Sequence, residues 1–170
     1  MRDRRLGIAF VALSLVLDQG TKALALGSPA LASGVEFLPV LNLVLVRNQG
    51  VSFGMLGGLV PWWALTMLAF AIVAALSVWL WRSQSRVLSG ALGLVIGGAL
   101  GNILDRVRFQ AVTDFLDFHW AGHHWPAFNL ADVAVVCGTA LLLVDSMRRP
   151  ETGEREDGRP EPARPQGAKE

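Results

Sequence analysis

The chain has 170 residues, 52% of them apolar, and a mean hydropathy of +0.44, which is one domain's length at a composition too greasy for an ordinary soluble domain. The formal net charge of +1 says little, because the tail from Arg148 carries as many acids as bases and cancels itself. The one cysteine, Cys137, excludes an intramolecular disulfide or a CxxC centre and reads most simply as a small buried residue. No phosphate-binding glycine loop or nucleic-acid signature occurs.

Four stretches approach the roughly 20 apolar residues that a membrane-spanning helix needs. The first, Leu6 to Leu26, follows Arg2, Arg4 and Arg5 and carries Asp18 and Lys22 four residues apart, so that both lie on one helical face and can pair. Such a start also fits a cleaved secretory leader, but Asp18 and Lys22 would be of no use in a discarded segment. Gly27-Ser28-Pro29 ends this helix. Phe37 to Val46, FLPVLNLVLV, is too short to span as a helix and suits a strand or a surface-lying segment. Arg47-Asn48-Gln49-Gly50 follows as a turn signal.

The second span runs from Pro61 to Trp81, with Trp62, Trp63, Trp79 and Trp81 marking its two interfaces. After the short basic link holding Arg82 and Arg86, the third span runs from Val87 to Leu104 and repeats glycine at 93, 97 and 101, a face that lets a neighbouring backbone approach closely. Asn102, Asp105 and Arg106 are expected to close this span, with Arg106 meeting the negative helix end and pairing with Asp105. Residues 111–118, AVTDFLDF, are apolar enough to lie against the membrane surface and carry Asp114 with no adjacent cation. The fourth span, Ala127 to Met147, bears Asn129 and Asp132 one turn apart. The tail 148–170, rich in Pro, Glu, Arg and Gly, is expected to be disordered.

Basic residues before the first span, between the second and third, and after the fourth place both termini and the 82–86 link in the cytoplasm by the positive-inside rule. Six of the eight acids outside the tail then gather toward the other face: Asp18, Glu36, Asp105, Asp114, Asp117 and Asp132. A carboxylate within a membrane segment costs about 2.5–3.5 kcal/mol at mid-depth, so each needs a partner, an interfacial position or a task. Asp114 and Asp132, without sequence-adjacent cations, would share one proton if brought together, since two carboxylates at close range do not both ionise. That is how an aspartyl protease prepares one acid and one base around a water.

Three further readings stay open on the residues alone. His119, His123 and His124 near Asp114 and Asp117 could hold zinc, although His beside Trp120 and Trp125 also suits an interfacial belt. Intramembrane acids also build proton or ion paths, although here they collect on one side and no span is broken at mid-depth by Pro. A non-enzymatic scaffold would explain the glycine face but leave Asp132 without purpose.

Taken together, these residues resemble the lipoprotein signal peptidase family, bacterial signal peptidase II. Asp18-Gln19-Gly20-Thr21-Lys22 is similar to its D-x-x-T-K element, Asn48 to Gly54 to its N-x-G-x-x-F element, and Gly101 to Arg106 to its G-N-x-x-D-R element. Val112-Thr113-Asp114-Phe115 and Phe128-Asn129-Leu130-Ala131-Asp132 resemble the segments that supply its two catalytic aspartates. The resemblance implies an all-α membrane protein, four transmembrane helices in one domain over residues 1–147, with a small β-like extracytoplasmic cradle between the first two spans. It implies a cofactor- and metal-free aspartyl endopeptidase in the bacterial inner membrane, monomeric among the lipids. Such an enzyme cuts the signal peptide from diacylglyceryl-modified prolipoproteins before the lipidated cysteine. The dyad would be Asp114 and Asp132, supported by Asp18, Lys22, Asn48, Gly50, Asn102, Asp105, Arg106 and Asn129.

Overall fold

A computed structural model describes residues 2–50 and 60–148. Val51 to Gly54, the second half of the N-x-G-x-x-F element, and the tail beyond Arg148 lie outside the described residues.

Among the described residues, four helices are long and apolar enough to cross a membrane: α1 (Arg2–Leu26), α2 (Trp62–Arg82), α3 (Arg86–Phe109) and α4 (Leu130–Arg148). Helix α3 is central, with 61% of its span buried against 17–22% in the other three. Its glycines are the reason. A methyl group on Gly93 would strike the Gly7 carbonyl and Phe10 of α1, and one on Gly97 would strike Val11 and Ser14. On another side of α3, a methyl on Gly98 would meet the Ala131 carbonyl of α4. The absence of side chains thus lets two helices approach α3 at backbone distance. Leu92, Ile96 and Ile103 complete the core, whereas Val16, Met67 and Leu143 point outward.

The apolar segment after α1 is a hairpin rather than one strand. After a 3-10 turn (Pro29–Ala32), β1 (Val35–Leu38) turns at Pro39-Val40 into β2 (Leu41–Asn48). The residues 111–118, expected to lie on the membrane surface, instead supply β3 (Val112–Trp120), which pairs antiparallel with β2. Burial explains the difference: Val112 and Phe115 are almost fully enclosed, which a surface-lying segment could not achieve. The positive-φ pair Ala121-Gly122 then turns the chain into β4 (His123–His124), so the histidines belong to a hairpin and not to an open loop. The sheet order is β1-β2-β3-β4, and the cradle draws on the connection between α3 and α4 as well as that between α1 and α2.

Two helix ends differ from expectation. Helix α3 continues to Phe109 and ends in left-handed Gln110, whose N–H bonds the Arg106 carbonyl. Asn102, Asp105 and Arg106 therefore lie within its last turns and are not its cap. Helix α4 begins at Leu130, leaving Asn129 just outside it.

Candidate active site

The start of α4 explains the placement of the two polar residues in PAFNLADVAVV. Asn129 accepts the Asp132 backbone N–H through Oδ1 at 3.0 Å, and its own backbone N–H donates to Asp132 Oδ2 at 3.3 Å. This is the reciprocal capping box, in which residues three apart satisfy helix-end donors that otherwise have no partner. Asn129 is wholly enclosed, and its remaining amide group donates to Asp114 Oδ1 at 2.6 Å and to Asn102 Oδ1 at 3.3 Å. One residue thus orients both aspartates, Asp132 through its backbone and Asp114 through its side chain.

Asp114 sits on β3 at 2% exposure. Its second oxygen accepts from Asn48 Nδ2 at 3.0 Å. That contact depends on the register of β2. Leu43 faces Leu116 but Val46 faces Asp114, so β2 carries one extra residue between them, a bulge that moves its later side chains to the other face. Asn48 then falls on the diagonal from Asp114, across the sheet from Val112. The Asn48 side chain also accepts the Gly50 N–H at 2.9 Å, which fixes the turn after β2. Burial raises the Asp114 pKa to about 6, offset in part by the Asn48 hydrogen bond and increased again by the nearby Asp132 charge.

Behind the aspartates lies a buried ionic cluster. Lys22 Nζ donates to Asp18 at 2.9 Å, to Asn102 Oδ1 at 2.9 Å and to Asp105 at 3.2 Å, which uses all three ammonium hydrogens. Asn102 in turn donates to Asp132 Oδ1 at 2.9 Å. Asp18 reaches across to accept the Ala131 backbone N–H in the first turn of α4 at 2.9 Å, and a methyl on Gly101 would collide with its carboxylate. Asp105 accepts the Thr113 N–H at 2.8 Å, holding β3 one residue before Asp114. Of the predicted supporting residues, Asp18, Asn48, Asn102, Asp105 and Asn129 thus bond an aspartate of the pair or the element that carries it, whereas Lys22 and Gly50 reach them through those residues.

The expected Arg106–Asp105 pair does not form. Consecutive helical residues point in different directions, so Asp105 turns toward Lys22 while Arg106 Nη2 donates to the Gly50 carbonyl at 3.0 Å. Arg106, Asn48, Asn102, Asp114 and Asp132 line one cavity of about 450 Å³, together with the apolar Trp125, Phe128, Val133 and Val136. Cys137 lines it too and is exposed, contrary to the expectation of a buried residue. Only one face of α4 packs on α3, where Gly138 meets Ala91, and its neighbour Cys137 points elsewhere. Among the described residues, neither Asp114 nor Asp132 forms an ion pair with a lysine, arginine or histidine.

Sequence reasoning missed Gln19, Arg47 and Thr113. Gln19 donates to Asp18, Asp105 and the Gly101 carbonyl and accepts from Arg108, tying α1 to α3. Arg47 donates to Thr113 Oγ1 at 2.9 Å and lies over the Phe109 ring. The position of Gln19 beside Asp18 was the one available signal. The histidines stand apart from the cavity: His124 Nδ1–H donates to Asp117 at 2.9 Å and stacks on His119. The slight burial of Asp117 raises its pKa, but hydrogen bonds from Asn42 and His124 outweigh this and hold it below the ordinary carboxylate value.

A family model described as signal peptidase (SPase) II matches residues 10–148. The lipoprotein signal peptidase of Shewanella halifaxensis is 41% identical over 87% of this chain and 89% of its own. That of Nitratidesulfovibrio vulgaris is 40% identical over 89% and 96%, and that of Rhodopseudomonas palustris 44% over 86% and 94%. A solved bacterial membrane enzyme superposes with a TM-score of 0.77 at 26% identity, covering 90% of this chain and 94% of that one.

Proposed function

Because the chain belongs to the signal peptidase II family, a family of multi-pass membrane proteases, we propose that it is an aspartyl endopeptidase that removes the signal peptide from diacylglyceryl-modified prolipoproteins, cutting before the lipidated cysteine. The observation that carries this reading is the convergence of Asp114 and Asp132 on one cavity, joined through Asn129 and ion-paired to none of the described cations.

The pair holds one proton. Asp114, raised to about 6 by burial, carries it, and ionised Asp132 takes a proton from a water whose oxygen bonds to the scissile carbonyl carbon. As the C–N bond breaks, the leaving amine takes the Asp114 proton. The products are a new carboxyl group and an amine, and the pair again holds one proton, now on Asp132. Asn48, Asn102 and Asn129 keep the carboxyl groups in place by donating to them, so that no side chain has to reorganise as charge moves. Lys22 does not neutralise the pair because Asp18 and Asp105 already occupy it. Arg106, in the same cavity wall, offers positive charge toward the substrate backbone. The apolar wall of Trp125, Phe128, Val133 and Val136 suits acyl chains of the substrate.

Positive-inside topology puts the sheet and both aspartates at the extracytoplasmic face of the bacterial inner membrane, where a translocated precursor would be met, and the enzyme acts as a monomer. The test is cleavage of a lipid-modified precursor and its unmodified form by the wild type, Asp114→Asn and Asp132→Asn. Only the wild type should cut, and only the modified precursor. Cleavage by either folded variant would sink the dyad, and equal cleavage of both precursors would sink the lipid requirement.

A further inference from the structure

A second cavity of about 280 Å³ lies at the opposite end of the bundle from the sheet, between α1 and α2 with α3 as its floor. It exists because α1 is drawn onto α3 by the glycine contacts at Gly93 and Gly97, while α2 packs on a different side of α3. Its α1 wall is Arg4, Ile8 and Val11, which share one helical face over a rise of about 10 Å. Ser77 and Trp81 form the α2 wall and Ile96 the floor. Beyond Arg4 the groove is apolar, with one hydroxyl, that of Ser77, already committed to the Val73 carbonyl at 2.7 Å.

Arg4 makes this more than a gap between helices. Its guanidinium carbon lies 4.9 Å over the Trp81 ring, which holds the charge at the mouth of the groove. Stacking on a ring face leaves the edge N–H donors of a guanidinium free, and their planar fork matches two oxygens of a phosphate. Among the described residues no carboxylate lies within ion-pair distance of Arg4. Arg5, Arg82 and Arg86 stand exposed at this same end of α1, α2 and α3. A narrow apolar trough that opens on a fixed arginine among other cations fits a chain-bearing anion, and basic pockets between transmembrane helices bind anionic headgroups.

We propose that this groove is a binding site for an anionic phospholipid, with one acyl chain along Ile8, Val11 and Ile96 and the headgroup phosphate on Arg4. The site is separate from the aspartates and does not depend on their chemistry. Because Trp81 lines the groove, a brominated acyl chain seated there quenches its emission by contact.

The experiment reconstitutes the full chain in phosphatidylcholine vesicles containing a small fraction of brominated phosphatidylglycerol or, in parallel, the same fraction of brominated phosphatidylcholine. The Trp81 component is the difference between the wild type and Trp81→Phe. Half-maximal quenching of that component should need at least threefold less brominated phosphatidylglycerol than brominated phosphatidylcholine. Arg4→Gln should abolish the preference. Ser77→Phe, which fills the groove with Arg4 intact, should also abolish the preference, leaving only the equal quenching that surrounding lipid gives the exposed Trp81 ring. A helical circular dichroism spectrum and thermal midpoint matching the wild type verify the fold of each variant. Equal quenching by the two lipids, or a preference that survives Arg4→Gln, would overturn the proposal, the latter by assigning it to general surface charge.

Discussion

The hydrogen bond from Asn48 to Asp114 allows a quantitative test of the shared proton. The mechanism needs a proton on the pair, so activity should fall on the alkaline side as that proton is lost, in the free enzyme near the Asp114 value of about 6. Asn48 donates to the ionised form at 3.0 Å and so lowers this value. A hydrogen bond to a charged group contributes about 1.5–3 kcal/mol, and about 1.4 kcal/mol corresponds to one pH unit. Asn48→Ala should therefore move the alkaline limb of kcat/KM upward by roughly one to two pH units. Asn48→Asp should move it at least as far, because it removes the donor and adds a like charge while keeping an oxygen for the Gly50 N–H. The assay is the pH profile of kcat/KM on a lipid-modified precursor in bicelles, each variant normalised to its own maximum, since both will also be slower overall. At pH 8 the wild type keeps about 1% of its proton-bearing form and Asn48→Ala about 10–50%. A limb that stays in place, or moves to lower pH, would refute the assignment of the proton.

Other outcomes follow from the same contacts. Lys22→Met should destabilise the protein by about 3–5 kcal/mol in reversible unfolding, because it strands the buried Asp18 and Asp105 carboxylates, and a further Asp105→Asn should recover part of the loss. A loss under about 1 kcal/mol would mean the cluster is hydrated. Gly101→Ala should displace Asp18 from the first turn of α4 and lower kcat at least tenfold, whereas Gly90→Ala, where a methyl meets only the Phe10 ring at 3.5 Å, should leave both stability and rate near wild type. Equal effects at the two glycines would argue against Asp18 acting through α4. Chelator treatment, and His124→Ala with it, should leave precursor cleavage intact, since His124 pairs with Asp117 and no histidine lines the cavity. Loss of cleavage on chelation would revive the zinc reading.

The sequence by itself determined the properties that depend on near neighbours along the chain. Membrane spans need only length and apolarity, the Asp18–Lys22 pair only one helical turn, and the glycine face only a spacing of four. The five motifs in order pointed to the family because their residues had to meet in one place, even though their spacing did not say how. What the tertiary structure decided are the contacts between elements. The segment around Asp114 carries apolar residues on both faces, so periodicity could not separate a buried strand from a surface-lying stretch; pairing with β2 made it a strand. A single extra residue in β2 turned Asn48 toward Asp114, and no local pattern in FLPVLNLVLV encodes that bulge. Arg106 and Asp105 are adjacent in the sequence and so suggested a pair, yet consecutive helical side chains diverge, and the packing of α1 and β2 around α3 gave the carboxylate to Lys22 and the guanidinium to the Gly50 carbonyl. In the same way, the buried Asn129 became the link between the two aspartates only when β3 and the N-terminus of α4 came together around it.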